Sequence, residues 1–274
     1  MNLKDKIIIS GLTDQGRVRD HNEDSIGSHA DLGLLVLADG MGGHKGGEVA
    51  SALAVDTILS QLKISLENIK PGEIDDKTGY SHESMAIESA IKEANTVIYE
   101  ASKNNVQYEG MGTTVVVLLF YDNRLTVAHV GDSRLYRMRN KILEQMTRDH
   151  TLLQELVDRG FYSKQEARES LNKNLVTRAV GVNTTVDIDL LEDIAITGDI
   201  FLLCSDGLTD MLDDDLIEGT ILNYRDDIER TAKELVSQAN QHGGKDNVSA
   251  MLAQPVKPFP ANNNWFSKIF DLFS

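Results

Sequence analysis

The hydrophobic positions form short apolar runs and longer amphipathic stretches. Runs of β-branched and aliphatic residues between turn residues predict strands at residues 34–38, 113–121, 124–130, 133–138, 186–194, 200–204 and 248–252. Helical spacing of apolar residues predicts helices at residues 47–62, 81–102, 151–159, 163–169, 214–222 and 227–241. Asp122 and Asn123, between two predicted strands, are typical of a hairpin turn.

The order of these elements predicts the fold class. Strands occur in runs and helices occur in pairs, which favours antiparallel sheets covered by helices, an α+β fold, over a βαβ alternation. We expect one domain over residues 1–254 and a linker rich in Pro and Asn over residues 255–264.

The last ten residues, 265–274, form a short amphipathic tail. On a helical wheel one half carries Trp265, Phe266, Ile269, Phe270, Leu272 and Phe273. Two interpretations stay open: docking onto a protein surface, its own or a neighbour's, which the sequence favours, and peripheral attachment to a membrane.

Composition and charge exclude several classes of protein. The 274 residues carry 27 Lys and Arg against 43 Asp and Glu, a formal net charge of −16, which argues against nucleic acid as a partner. A single Cys excludes an internal disulfide framework and suits a reducing compartment, so we expect a cytoplasmic protein. The longest apolar run, residues 115–121, is shorter than the roughly 18 residues of a membrane span.

Several acidic residues occupy similar positions at the ends of apolar strands. Asp39 and Asp206 each follow such a strand and precede a glycine. Asp132 also follows an apolar strand, but its glycine, Gly131, comes before it. Further acidic residues stand near both ends of the domain: Glu23, Asp24 and Asp246. Each Asp-Gly pair alone is typical of an ordinary turn. Together they offer the oxygen ligands that Mg²⁺ or Mn²⁺ prefers, whereas the His and Cys clusters of zinc sites are absent from the sequence.

Six short motifs occur in a fixed order along the chain. They are residues 19–24 (Arg-Asp-His-Asn-Glu-Asp), 38–43 (Ala-Asp-Gly-Met-Gly-Gly), 110–114 (Gly-Met-Gly-Thr-Thr), 131–134 (Gly-Asp-Ser-Arg), 205–208 (Ser-Asp-Gly-Leu) and 246–249 (Asp-Asn-Val-Ser). In order and spacing the chain resembles the metal-dependent serine/threonine protein phosphatases of the protein phosphatase 2C type, in their bacterial branch. The resemblance implies a β-sandwich of two antiparallel sheets flanked by helix pairs, in four layers.

The resemblance also implies a role for each acidic residue. Asp39 would bridge two Mn²⁺ or Mg²⁺ ions, and the Gly40 carbonyl would bind one of them. The other expected metal-binding residues are Asp206 and Asp246 on the second ion, Glu23 and Asp24 through metal-bound water, and Asp132 with Asp206 on a possible third ion. Arg19 would bind the substrate phosphate. A hydroxide between the metals would hydrolyse phosphoserine and phosphothreonine on proteins directly, without a phosphoenzyme.

One position departs from part of the family. Where the eukaryotic branch has a His that is proposed to protonate the leaving group, this chain has Met41. His44 is a candidate donor, and a metal-bound water is the alternative.

A catalytically silent phosphoprotein-binding module would lack some metal carboxylates, yet Asp39, Asp206 and Asp246 are all present. The resemblance further suggests an opposing serine/threonine kinase, and we expect a monomer.

Overall fold

The computed structural model describes residues 3–43, 45–163, 166 and 175–261, and it shows two antiparallel sheets packed face to face. The first sheet has the strand order β1-β11-β10-β7-β8, and the second has the order β2-β3-β5-β6-β9 with β4 beside β3. The strands are β1 (Ile7–Asp14), β2 (Asp24–His29), β3 (Leu34–Met41), β4 (Gly112–Thr113), β5 (Val115–Tyr121), β6 (Arg124–Val130), β7 (Arg134–Arg139), β8 (Ile142–Gln145), β9 (Asp189–Ile194), β10 (Ile200–Cys204) and β11 (Val248–Pro255).

A pair of helices covers the outer face of each sheet. The helices are α1 (Gly46–Ser65) and α2 (His82–Asn104) on the second sheet, α5 (Asp214–Tyr224) and α6 (Ile228–Gln241) on the first, and the short α3 (Leu152–Asp158) and α4 (Asp206–Thr209). Ser81, Asp213 and Asp227 cap α2, α5 and α6 with their side chains. One apolar core lies between the sheets and one under each helix pair, which confirms the four-layer prediction.

The strand predictions are confirmed for most of the chain, but they miss β8 and both N-terminal strands. β1 alternates only weakly between buried and exposed positions, and β2 has the polar sequence Asp-Ser-Ile-Gly-Ser-His, so neither has a clear apolar pattern. Both segments form strands because each is hydrogen-bonded along its length to a neighbouring strand. β1 pairs with β11 over eight positions, and β2 pairs with β3. The helix predicted at residues 163–169 lies largely outside the described residues.

The hairpin predicted between β5 and β6 is confirmed. Asp122 and Asn123 have φ values of 45° and 56°, the left-handed conformation that a tight two-residue hairpin requires. Their side chains also hold the chain beyond β11. Asn123 Oδ1 accepts a hydrogen bond from Phe259 N at 2.6 Å, and Asp122 Oδ1 accepts one from Ala261 N at 2.7 Å.

Part of the predicted linker therefore packs on the domain. Phe259 is 2% exposed, and its ring meets the ring of Phe120 edge-on at 6.1 Å between centroids. The boundary at residue 254 stays a prediction, and the amphipathic tail at residues 265–274 lies outside the described residues.

One helix of the described chain is long and apolar enough to cross a membrane. It spans Gly46–Asn68 with a mean hydropathy of 1.3. In the fold it packs against β3 and α2, and its buried residues include Ala54, Ile58 and Leu62. The apolar composition of α1 thus has a structural explanation in the core of the second sheet.

Replacing Phe259 with alanine tests whether the segment after β11 belongs to the domain. Because the ring is buried, Phe259→Ala should lower the free energy of unfolding by about 3–5 kcal/mol, measured by urea denaturation. Phe161→Ala is the matched control, since Phe161 is 71% exposed, and it should cost little. Equal small effects of both substitutions would show that residues 256–261 do not stabilise the fold.

Candidate metal centre

The acidic residues singled out in the sequence converge at one rim of the sandwich. Asp39 lies near the end of β3, directly opposite Asp24 at the start of β2. The others stand where their strands begin or end: Asp206 follows β10, Asp246 precedes β11, and Asp132 lies between β6 and β7. Burial raises the pKa of Asp39 well above its usual range, and the negative charges of Asp24, Asp206, Asp132 and Asp246 raise it further. The five carboxylates therefore lie close enough to repel one another.

Asp24 is held in this cluster by two hydroxyl groups. Its Oδ2 accepts hydrogen bonds from Ser205 Oγ at 2.8 Å and from Ser249 Oγ at 2.6 Å. Its Oδ1 is buried and has no hydrogen-bond partner among the described residues. Burial raises the pKa of Asp24 to about 6 in spite of the two hydroxyl donors. One carboxylate oxygen is thus left without the partner that a buried charge needs.

The motif at residues 110–114 fixes the backbone of Asp39. Asp39 N donates to Thr114 Oγ1 at 3.1 Å, and Asp39 O accepts from Thr114 N at 2.8 Å and from Thr113 Oγ1 at 2.9 Å. Thr114 Oγ1 also bonds to Ser133 Oγ at 2.7 Å, next to Asp132. The two threonines therefore satisfy the backbone of one candidate ligand and connect it to the turn that carries another.

Gly40 lies where the backbones of three segments meet. Gly40 N donates to Glu23 O at 3.1 Å, and a Cβ on Gly40 would lie 2.0 Å from Gly47 O and 2.7 Å from Glu23 O. A Cβ on Gly47 would lie 2.7 Å from Glu23 Cδ. Glycine is thus required at both positions for Glu23, β3 and the start of α1 to approach each other.

The N-terminal motif reaches the centre through Asp246 and Asn247. Arg19 Nη2 donates to Asp246 Oδ2 at 2.7 Å. Asn247 Oδ1 accepts from Glu23 N at 2.8 Å, while its Nδ2 donates to the carbonyls of Gln15 and His21. Asn247 therefore ties the segment of Arg19 and Glu23 to the start of β11. Its position in the Asp-Asn-Val-Ser motif was the signal for this role, which was not predicted from the sequence.

Asp210 is a second residue that the sequence analysis missed. Burial raises the pKa of Asp206 well above its usual range, and the charges of Asp132, Asp246 and Asp210 raise it further. Burial also raises the pKa of Asp132 to about 6, with smaller contributions that include Asp149 and Asp210. Asp210 stands four residues after Asp206, which is one helical turn. This spacing in the sequence could have indicated that the two carboxylates lie on the same side of a helix.

His129, His150 and Asp189 lie beside the centre, close enough together to suggest a metal site. The two imidazole rings are stacked at 4.6 Å and 21°, so their in-plane lone pairs do not converge on one ion. Arg178 Nη1 bonds to Asp189 Oδ1 at 2.8 Å and places a positive charge there. His150 Nδ1 instead accepts from Gly131 N at 3.1 Å, so this group supports the turn before Asp132.

The remaining candidate, His44, lies outside the described residues. Met41 pairs with Gly112 of β4, so the position that departs from the eukaryotic branch lies at the rim of the second sheet.

The residues present fit hard divalent cations. All the converging carboxylates offer oxygen, they are buried or half-buried and repel one another, and Asp24 Oδ1 has no partner within the described chain. Divalent cations would offset this repulsion, and carboxylates with a carbonyl oxygen are the donors that Mg²⁺ and Mn²⁺ prefer.

Comparison with known proteins agrees with this chemistry. The family profile described as Protein phosphatase 2C matches residues 15–253. The chain belongs to this family. It is therefore a metal-dependent serine/threonine protein phosphatase, a hydrolase that uses Mn²⁺ or Mg²⁺.

Relatives of known structure or function support the assignment. The serine/threonine phosphatase stp of Listeria monocytogenes is 36% identical over 245 residues, covering 88% of this chain and 93% of the relative. The crystal structure of PstP from Mycobacterium tuberculosis has a TM-score of 0.80 at 36% identity, covering 91% of this chain and 98% of that one. The PstP catalytic domain in complex with two manganese ions has a TM-score of 0.78 at 35% identity, covering 92% and 99%. Fold and metal dependence thus agree with the predictions from the sequence.

Substituting Gly40 tests the close approach at the centre. A side chain at this position must push away the Gly47 carbonyl, so Gly40→Ala should weaken Mn²⁺ binding at least about tenfold by isothermal titration calorimetry. Gly43→Ala is the matched control, because a Cβ there meets no atom within 4 Å, and it should bind Mn²⁺ as the native chain does. Native affinity in both variants would contradict this account of the rim.

The buried carboxylates predict how pH affects the metal-free protein. Folding raises the pKa of Asp24 and Asp132 from 3.8 to about 6, so the folded state binds more protons between these values. The free energy of unfolding of chelator-treated protein should therefore fall as pH rises from about 4 to 6.

Mn²⁺ should reverse this loss of stability. At about 100 times its dissociation constant each bound ion adds about 2.7 kcal/mol, so the melting temperature should rise by about 5–10 °C for each bound ion at pH 7 and by less at pH 5. Thermal melts with Mn²⁺ and with chelator measure both effects. Metal-free protein that gains stability between pH 4 and 6 would contradict this electrostatic account.

Proposed function

We propose that Asp39, Asp206 and Asp246, with the Gly40 carbonyl, hold the two divalent cations of this phosphatase. The observation that carries the proposal is the convergence of these half-buried carboxylates at the rim of the two sheets. Glu23 and Asp24 would act through metal-bound water, and Asp24 Oδ1 has no partner among the described residues that would compete for this role. When bound, the two cations supply water activation and offset negative charge on the phosphoryl group.

Arg19 has the position of a substrate-binding residue. Its side chain is 54% exposed while its guanidinium bonds to Asp246, so it faces solvent at the edge of the centre. The hydrogen bond to Asp246 raises the pKa of Arg19 further, and the group stays charged. A planar guanidinium can bind two phosphate oxygens at once, so Arg19 would orient the phosphoryl group over the carboxylates.

The group that protonates the leaving oxygen differs from the histidine of the eukaryotic branch. The Met41 thioether has no proton to donate, and His44 and bound water remain the two candidates. A change in the pH dependence of the rate for His44→Gln would identify the histidine as the donor.

Asp132 with Asp206 would hold a third, weaker cation. The charge of Asp132 is the second-largest cause of the raised pKa of Asp206, after burial, and Asp210 adds a further carboxylate. Hydrogen bonds between Gly131 and His150 hold the turn of Asp132 in place. A cation here would reduce the repulsion that the first two leave.

The substrates follow from the activity: proteins that carry phosphoserine or phosphothreonine, phosphorylated by a serine/threonine kinase that the phosphatase opposes. We place the chain in the cytoplasm as a monomer. For the tail at residues 265–274, docking onto a protein surface and contact with a membrane both stay open.

Asp39→Asn tests the proposed centre and the catalytically silent alternative together. Native protein should release phosphate from a phosphothreonine peptide with Mn²⁺ and lose this activity with chelator. Asp39→Asn should lose at least about 99% of the rate. Because the substitution removes one repelling charge, the metal-free variant should melt at or above the temperature of the native apo protein, which separates lost chemistry from lost folding. Activity that survives both chelator and substitution would contradict the proposal.

A further inference from the structure

An open groove lies near the metal centre, between the end of α2 and the segment that follows Arg178. It has a volume of about 200 Å³ and is lined by Tyr99, Ser102, Lys103, Val106, Glu109, Gly110, Gly181 and Val182. Two of its side chains are apolar and face solvent, since Val106 is 86% exposed and Val182 is 45% exposed. The space is large enough for one branched aliphatic side chain.

The groove is joined to the metal centre through the backbone of the second sheet. Gly40 pairs with Thr113 of β4, and Thr113 exchanges two backbone hydrogen bonds with Val180 at 3.0 and 2.9 Å. Neighbouring strands are about 4.8 Å apart, so Val180 lies about 10 Å from Gly40. Val182 lies over the same strand, since a Cβ on Gly112 would be 2.7 Å from Val182 Cγ2.

The walls of the groove are held in place independently of any ligand. Asn95 of α2 accepts a hydrogen bond from Gly181 N at 2.8 Å and donates one to Asn183 O at 3.0 Å. Gly181 lies directly on α2, where a Cβ would be 2.1 Å from Ile98 Cγ2. Lys103 lies 5.3 Å from the centre of the Tyr99 ring. The groove is thus a preformed surface, which lowers the entropic cost of binding.

We propose that this groove binds an apolar side chain of the phosphoprotein substrate, about three residues from the phosphorylated one. The inference rests on the proposed function, because a phosphate bound near Gly40 fixes where the substrate chain begins. An extended chain spans about 3.3 Å per residue, so three residues cover the distance of about 10 Å from Gly40 to Val180, and the groove begins at the next residue, Gly181. Val106 and Val182 would then be specificity-determining residues that take no part in the chemistry.

The test compares phosphothreonine peptides with a small aryl phosphate that cannot reach the groove. Peptides carry Leu or Ser three residues before or after the phosphothreonine. The native enzyme should favour Leu over Ser at one of these positions about fivefold to tenfold in kcat/KM, mainly through KM. Val182→Asp and Val106→Asp, on opposite walls, should each reduce this ratio to about 1 while hydrolysis of p-nitrophenyl phosphate stays unchanged.

Ile142→Asp is the matched control, since Ile142 is 66% exposed on β8 of the other sheet, and it should keep the native preference. Equal rates for Leu and Ser peptides with the native enzyme would overturn the inference. A preference that survives in both groove variants would overturn it too. If the proposed function itself were wrong, the result would be different from both of these: the native enzyme would hydrolyse neither the peptides nor p-nitrophenyl phosphate.

Discussion

Mutual repulsion among buried carboxylates is the constraint on which the functional rim depends. Asp39 and Asp206 each have a pKa raised first by burial and then by neighbouring acidic groups. Such an arrangement costs folding free energy unless cations bind, and it persists only where the surrounding structure is rigid. The two packed sheets supply that rigidity, because every candidate ligand stands at or next to the end of a hydrogen-bonded strand.

The groups around the carboxylates are neutral hydrogen-bonding groups with fixed positions. Thr113 and Thr114 satisfy the backbone of Asp39, Ser205 and Ser249 hold Asp24, and Asn247 ties the N-terminal segment to the last strand. None of these carries a positive charge that would compete with a cation. Arg19 does carry a positive charge, and it stands at the exposed edge where a phosphate can approach. The polar residues thus orient the acidic ones without neutralising them.

Prediction from the sequence succeeded where a local pattern and a local structure coincide. The apolar run of β5 and the Asp-Asn hairpin were identified because burial and turn conformation depend on adjacent residues. β1 and β2 were missed because their pairing with distant strands, rather than their own pattern, makes them strands. Phe259 was placed in a linker for the same reason, since its burial against Phe120 depends on a contact between distant segments.

The sequence by itself predicted a site for hard cations, because acidic residues at the ends of apolar strands offer oxygen ligands and because the six ordered motifs resemble those of a metal-dependent phosphatase family. The tertiary structure showed how the acidic residues named from the sequence come together, and it added Asp210 to them. Asp24, Asp39 and Asp246 are separated along the chain. Antiparallel pairing of β2 with β3 brings Asp24 opposite Asp39, and the packing of the two sheets brings the start of β11 with Asp246 to the same rim. Asp210 and the groove at Val182 became visible for the same reason, since electrostatic coupling and surface shape depend on distances in space.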